Sequence, residues 1–274
     1  MTSAPVVEFH SARLDIGHRT LWSGLDLSVM PGEFVAVLGP NGSGKTSLLR
    51  AILREMPLTA GSLAVRGELG YVPQQHADDS DTMMLRGRDL VGFGVDGARW
   101  GTGLRGLRAR RARVDAALAE VGAQRFARSA VGLLSGGEQQ RLRVAQALTR
   151  DPAALLCDEP LASLDLKNQR IVVDLLDERR RRAGTAILFV THEINPVLPF
   201  VDRVLYLVDG RFRIGTVDEV MNSETLSELY GSRIDVARVG GRIVVLGGDG
   251  ERHHCDTRGY ETAGHDGAPA TVEQ

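Results

Sequence analysis

The chain has 274 residues, with 43% apolar and 25% charged side chains and a formal net charge of -2. That length buries a full core as one large domain or two small ones, and the composition excludes disordered and fibrous classes. The near-neutral balance offers no global attraction to nucleic acid and argues against that partner. Cys157 falls inside an apolar strand pattern and Cys255 in a polar tail, an arrangement that argues against a structural disulfide and for a reducing compartment. The opening MTSAPVVEFH lacks the basic start and apolar run of a secretory signal, and no apolar stretch has bilayer-spanning length, so any membrane role is expected to run through a partner.

In chain order, Val6 to Ile16 and Leu25 to Val29 alternate apolar and polar residues, which predicts half-buried strands joined by a Gly17 to Gly24 turn region. Phe34 to Leu38 is a continuous apolar run and reads as a strand buried on both faces. A helix is expected from Ser47 to Arg54, closed by Pro57 and Gly61, and a short strand at Leu69 to Val72. From about residue 76 the sequence turns towards charge, glycine and amphipathic helix, an inserted helical subdomain that reaches Arg128 by composition and about residue 150 with the next helix included. The buried-strand rhythm returns at Ala153 to Cys157 and Ala186 to Val190. The expected fold is α/β: a mostly parallel sheet flanked by helices, an antiparallel β entry layer and a helical insertion, with residues 5 to 247 as one domain and 248 to 274 as a disordered tail.

The chemistry begins after the strand at residues 34 to 38. Gly39-Pro40-Asn41-Gly42-Ser43-Gly44-Lys45-Thr46 fits the G-x-x-x-x-G-K-[ST] pattern between a strand and a helix, the context that the P-loop mechanism requires. Its glycines turn backbone N–H groups inward around an anion, and the following helix, with Ser47 in its first turn, aims its positive end at the same point. Lys45 and Lys167 are the only lysines in an arginine-rich chain. A compact ammonium at Lys45 reaches between phosphate oxygens where a guanidinium is bulkier, and the Thr46 hydroxyl is placed for Mg²⁺. Downstream, Ala154 to Cys157 leads into Asp158 and Glu159. Adjacent acids at the end of a buried strand are costly without a cation, which points Asp158 at Mg²⁺ and Glu159 at the attacking water of a nucleoside triphosphate hydrolase. A pair of helix-capping acids is the bland alternative, and the preceding P-loop disfavours it.

Leu134-Ser135-Gly136-Gly137-Glu138 opens a helical segment from Gln140 to Thr149 and so sets a second anion site at a helix N-terminus. Together with the P-loop, this pentapeptide resembles the signature of the ATP-binding cassette family, and the resemblance runs from about Val6 to Gly231. It implies an ATPase with ATP and Mg²⁺. Gln74 resembles the family's glutamine-loop residue, with Gln75 as its neighbouring alternative; Ser163-Leu164-Asp165 resembles the loop that crosses to the opposite protomer; His192 resembles the switch histidine on the γ-phosphate. Two copies would face head to tail, each ATP lying between one Lys45 loop and the partner's Ser135, Gly136 and Gly137. The family usually stacks an aromatic residue on adenine. Here Ile16 takes that place, and weaker adenine affinity or relaxed base preference is expected.

A lone cassette without fused membrane spans or a long coiled coil resembles the separate ATPase subunit of a bacterial importer. That implies integral membrane permease subunits as partners, a solute-binding protein indirectly, and a peripheral position on the cytoplasmic face of the cell membrane. The run Arg105 to Arg113 could strengthen docking near anionic headgroups. Gly87 to Gly94 and Glu224 to Gly231 resemble the zinc and manganese branch, while importers of iron chelates and vitamins share a similar layout. His253, His254 and Cys255 are possible soft ligands without a second pair at ligand spacing. The alternative from another class is a soluble mechanical ATPase.

Overall fold

The computed structural model describes residues 4–74, 80–96 and 106–247. Gln75, Arg105, the disordered-tail expectation and the His253, His254 and Cys255 cluster lie outside the described residues.

Two antiparallel strands, β1 (Val7–Ile16) and β2 (Arg19–Val29), open the chain, and β4 (Ala60–Val65) adds to the other edge of β1. The turn between β1 and β2 is shorter than the sequence suggested: only residues 17 and 18 separate them, and Arg19 to Gly24 is strand. The alternation there is irregular because β1 shifts register between Phe9 and Ala12 and again up to Asp15, which hides the two-residue period. Strand β4 was not expected. Gly61 does not close a helix but lies inside β4, where an added Cβ would come 2.4 Å from the Ser11 carbonyl in the bulged part of β1.

The central sheet has the order β5-β6-β7-β3-β8-β9, built from β5 (Leu69–Val72), β6 (Ala154–Asp158), β7 (Ala186–Val190), β3 (Phe34–Leu38), β8 (Arg203–Val208) and β9 (Arg211–Gly215). All neighbours are parallel except β8 and β9. Phe34, Ala36 and Leu38 face one core and Val35 and Val37 the other, and β6 divides in the same way, with Leu155 and Cys157 on one side and Ala154 and Leu156 on the other. Burial on both faces explains the continuous apolar runs. The β1-β2-β4 sheet and α1 (Lys45–Ile52) cover one face. The opposite core takes in α3 (Gly87–Asp96), α4 (Leu107–Glu120), α5 (Gly136–Leu148) and α6 (Leu166–Ala183), after the short α2 (Ser80–Met83).

The chain continues past β7 with elements that no periodic pattern singled out. Beyond β8 and β9 come α7 (Val217–Val220), α8 (Ser223–Tyr230) and a hairpin of β10 (Ile234–Val239) and β11 (Arg242–Gly247). Asn195 ties this hairpin to the segment after β7, donating from Nδ2 to the Ile243 carbonyl at 2.9 Å and accepting from the Ile243 N–H at 2.8 Å. No helix among the described residues is long and apolar enough to cross a membrane.

Candidate functional site

Parallel strands bring their carboxyl ends to one edge, and three neighbouring strands end there in polar loops. The loop at residues 39 to 44 follows β3, Asp158 and Glu159 finish β6, and Thr191 and His192 follow β7. Backbone bonds continue past the strands: the Glu159 N–H donates to the Val190 carbonyl at 3.0 Å and the Thr191 N–H to the Val37 carbonyl at 3.1 Å. Ligands of open α/β sheets bind in the crevice outside such strand ends.

Gly39, Gly42 and Gly44 have φ of 139°, 76° and 97°, values that L side chains rarely adopt, and a Cβ at Gly39 would lie 2.0 Å from the Leu207 carbonyl. Leu21 and Trp22 of β2 pack behind Gly44, and Trp22 is fully buried edge-on to Phe9. The loop is therefore braced by the entry sheet. Lys45 is buried, and its Nζ donates to the carbonyls of Gly39 at 2.8 Å and Pro40 at 2.9 Å. Burial holds the ammonium below its ordinary pKa, opposed by the charges of Glu159 and Asp158. Asn41 is exposed on the loop, Ser43 is buried, and Ser47 is half-buried in the first turn of α1.

The two carboxylates sit in different environments. Asp158 is buried and accepts from the Thr46 hydroxyl at 3.2 Å, with the Tyr71 hydroxyl 3.5 Å from its other oxygen. Burial pushes its pKa up, and the Thr46 hydroxyl pulls it back. Glu159 accepts from Gln74 Nε2 at 3.0 Å and lies 3.7 Å from His192 Nδ1. That separation is an ion-pair contact rather than a hydrogen bond. The imidazole holds Glu159 below the usual carboxylate range, and Glu159 in turn raises His192. Divergent carboxylate environments at one site mark distinct roles for the two acids. Glu159 also has a φ of 45°, backbone strain that costs about 1–3 kcal/mol and persists where the surroundings over-determine it. Sequence reasoning missed Tyr71, for which an aromatic just before Gln74 on a central-sheet strand was the available signal.

The signature segment forms a separate group. Ser135 caps α5 and exchanges bonds with Glu138, whose carboxylate accepts from the Ser135 N–H at 3.0 Å and its hydroxyl at 2.9 Å. Those contacts hold Glu138 below the usual range. Gly136 packs near Leu164, and a Cβ on Gly137 would fall 2.1 Å from Asn168 Oδ1. Asp165 caps α6 and accepts from the Asn168 backbone at 2.7 Å. The hydrogen bonds of Ser135 and Asp165 thus stay within their own turns, whereas Thr46 of the 39 to 46 loop reaches across to Asp158. Ile16 ends β1 half-exposed, paired with Arg19 across the turn.

Residues 22–162 match the family model described as ABC transporter, and a hemin import ATP-binding protein of Rhodopseudomonas palustris is 34% identical over 82% of this chain and 87% of its own length. The chain belongs to the ABC transporter family. It is an ATPase of that family and binds ATP. An aliphatic sulfonates import ATP-binding protein of Nocardia farcinica is 37% identical over 79% of the cassette and 84% of its own length. A zinc import ATP-binding protein of Pseudomonas fluorescens is 34% identical over 84% of each chain. Relatives with three kinds of cargo match about equally well, so the zinc and manganese branch is not singled out. Among solved structures, the dimeric post-hydrolysis state of the cassette MJ0796, bound to ADP and Pi, superposes with a TM-score of 0.64 at 27% identity, covering 77% of this chain and 98% of that one. A component of the cbiONQ transporter complex from Clostridium perfringens shares the fold, with a TM-score of 0.70 at 23% identity over 82% of this chain and 94% of that one.

Proposed function

We propose that this chain is the ATP-hydrolysing subunit of an importer. Two copies sandwich each ATP between the loop from Gly39 to Thr46 of one and Ser135, Gly136 and Gly137 of the other. The observation that carries the reading is the Gln74–Glu159–His192 contact beside the Thr46–Asp158 pair, at the mouth of the loop that holds Lys45. The loop N–H groups and Ser47 take phosphate oxygens. Lys45 leaves its two carbonyls for the β- and γ-phosphates, as its small ammonium allows. Thr46, Asp158 and Gln74 supply hard oxygen donors, which suit Mg²⁺, and the ion would neutralise phosphate charge there. Glu159, its pKa lowered by His192, accepts the proton of the attacking water while His192, its own pKa raised by Glu159, faces the γ-phosphate. Asp165 holds its loop for the partner copy, and Ile16 forms an aliphatic floor for adenine.

Residues 5 to 247 act as one ATPase domain, with the helical insertion at about 76 to 150. Permease subunits on the cytoplasmic face of the membrane would dock on that insertion, where Met84, Phe93 and Leu107 are exposed apolar side chains. The proposed cargo is a metal ion such as zinc or manganese, supported by the zinc import relative and the segments at 87 to 94 and 224 to 231. The hemin import relative favours a second reading, an iron-chelate or vitamin cargo. Reconstitution with the permease that co-purifies with the chain from detergent extract tests both. Uptake of zinc or manganese stimulated by ATP is expected, chelate uptake alone supports the second reading, and purification from detergent extract without any membrane protein defeats both.

A further inference from the structure

The β1–β2 turn carries a second side chain to the rim of the phosphate loop. Arg19 is the cross-strand partner of Ile16, so the two side chains rise from the same face of the hairpin end. A methyl group on the Gly42 α-carbon would lie 3.7 Å from Arg19 Nη1, which puts the guanidinium against the loop itself. Its described ion pair is with Asp209 in the β8–β9 turn, Nη2 to Oδ1 at 3.3 Å, with side chains 57% and 82% exposed. An exposed pair of that kind contributes little and is easily exchanged for a ligand. A guanidinium is planar, weakly hydrated and stacks on aromatic faces, which an isoleucine cannot do.

We infer that Arg19 leaves Asp209 when nucleotide enters and stacks on the purine, supplying the planar face that Ile16 lacks and acting as the residue that sets affinity for the base. Every purine has a π-face, so the contact tolerates guanine as well as adenine. The inference rests on the proposed placement of ATP in the 39 to 46 loop with its base at Ile16.

Calorimetric titration of the full chain with MgATP, MgGTP and inorganic tripolyphosphate separates the possibilities. R19A and R19K are both expected to weaken ATP and GTP by about five- to a hundredfold, the span of base-stacking contributions, and to leave tripolyphosphate unchanged. D209A, which removes the resting partner, should bind ATP at least as tightly as wild type. The inference is overturned if R19A binds ATP normally, if R19K restores wild-type binding, if tripolyphosphate weakens along with ATP, or if D209A loses as much affinity as R19A. Failure of the unsubstituted chain to bind ATP would instead sink the placement of the nucleotide.

Discussion

Glu159 and His192 make each other's charge state, and that makes the pair testable residue by residue. His192 is raised above its ordinary 6.5 by Glu159, and Glu159 is lowered below its ordinary 4.5 by His192, so the charged pair is fully present between those ordinary values and is lost as pH rises through the raised His192 value or falls through the lowered Glu159 value. An NMR titration of His192 should therefore show a midpoint above 6.5, returning towards it in E159Q. An unchanged midpoint would dismiss the coupling. The same variant should keep ATP binding while phosphate release falls by about a hundredfold or more, the scale of a lost general base. Full turnover in E159Q would remove Glu159 from that role. Lys45→Ala should instead weaken nucleotide binding itself, because its ammonium is the one buried cation at the loop among the described residues.

At the scale of elements, the junction between α5 and α6 and the C-terminal hairpin carry the sharper expectations. Gly137 leaves no room for a Cβ beside Asn168, so Gly137→Ala must displace the Asn168 side chain, which donates to Asp165 in the α6 cap. Overpacking of this kind costs about 1–3 kcal/mol. The melting temperature should fall and ATP turnover should fall further, since the proposed partner-facing turn is displaced. A variant with normal stability and turnover would show that the cap is tolerant. Asn195→Ala removes both bonds to Ile243, and amides of β10 and β11 should then exchange faster with solvent while those of β3 and β6 stay protected. The helix α4 shows how an element can change the reading of a charge run. Arg110 is turned inward and makes a bidentate pair with Asp96 across Gly92, at 2.7 and 2.8 Å, so part of the basic run holds α3 to α4 instead of facing solvent.

At the scale of the whole molecule, one chain presents the phosphate loop at the carboxyl edge of its sheet and the Ser135 cap on the helical insertion, and the proposed sandwich needs a second copy. E159Q with MgATP should run as a dimer on size exclusion and as a monomer without nucleotide; a monomer under both conditions would defeat the head-to-tail arrangement. The sequence alone determined the phosphate loop, the acid pair after β6 and the doubly buried strands, because each is a local pattern whose chemistry depends on near neighbours in the chain. It could not register β4, which pairs across the bulged part of β1, or the hairpin of β10 and β11, whose mostly exposed faces show little of the two-residue period. Tertiary structure alone decided that Tyr71 reaches Asp158, that Gln74 and His192 converge on Glu159, and that Arg19 meets both Gly42 and Asp209. The Tyr71–Asp158 and Gln74–Glu159 contacts join residues 87 and 85 positions apart, and the order of strands in the central sheet brings them and His192 to one edge, where the entry sheet adds Arg19.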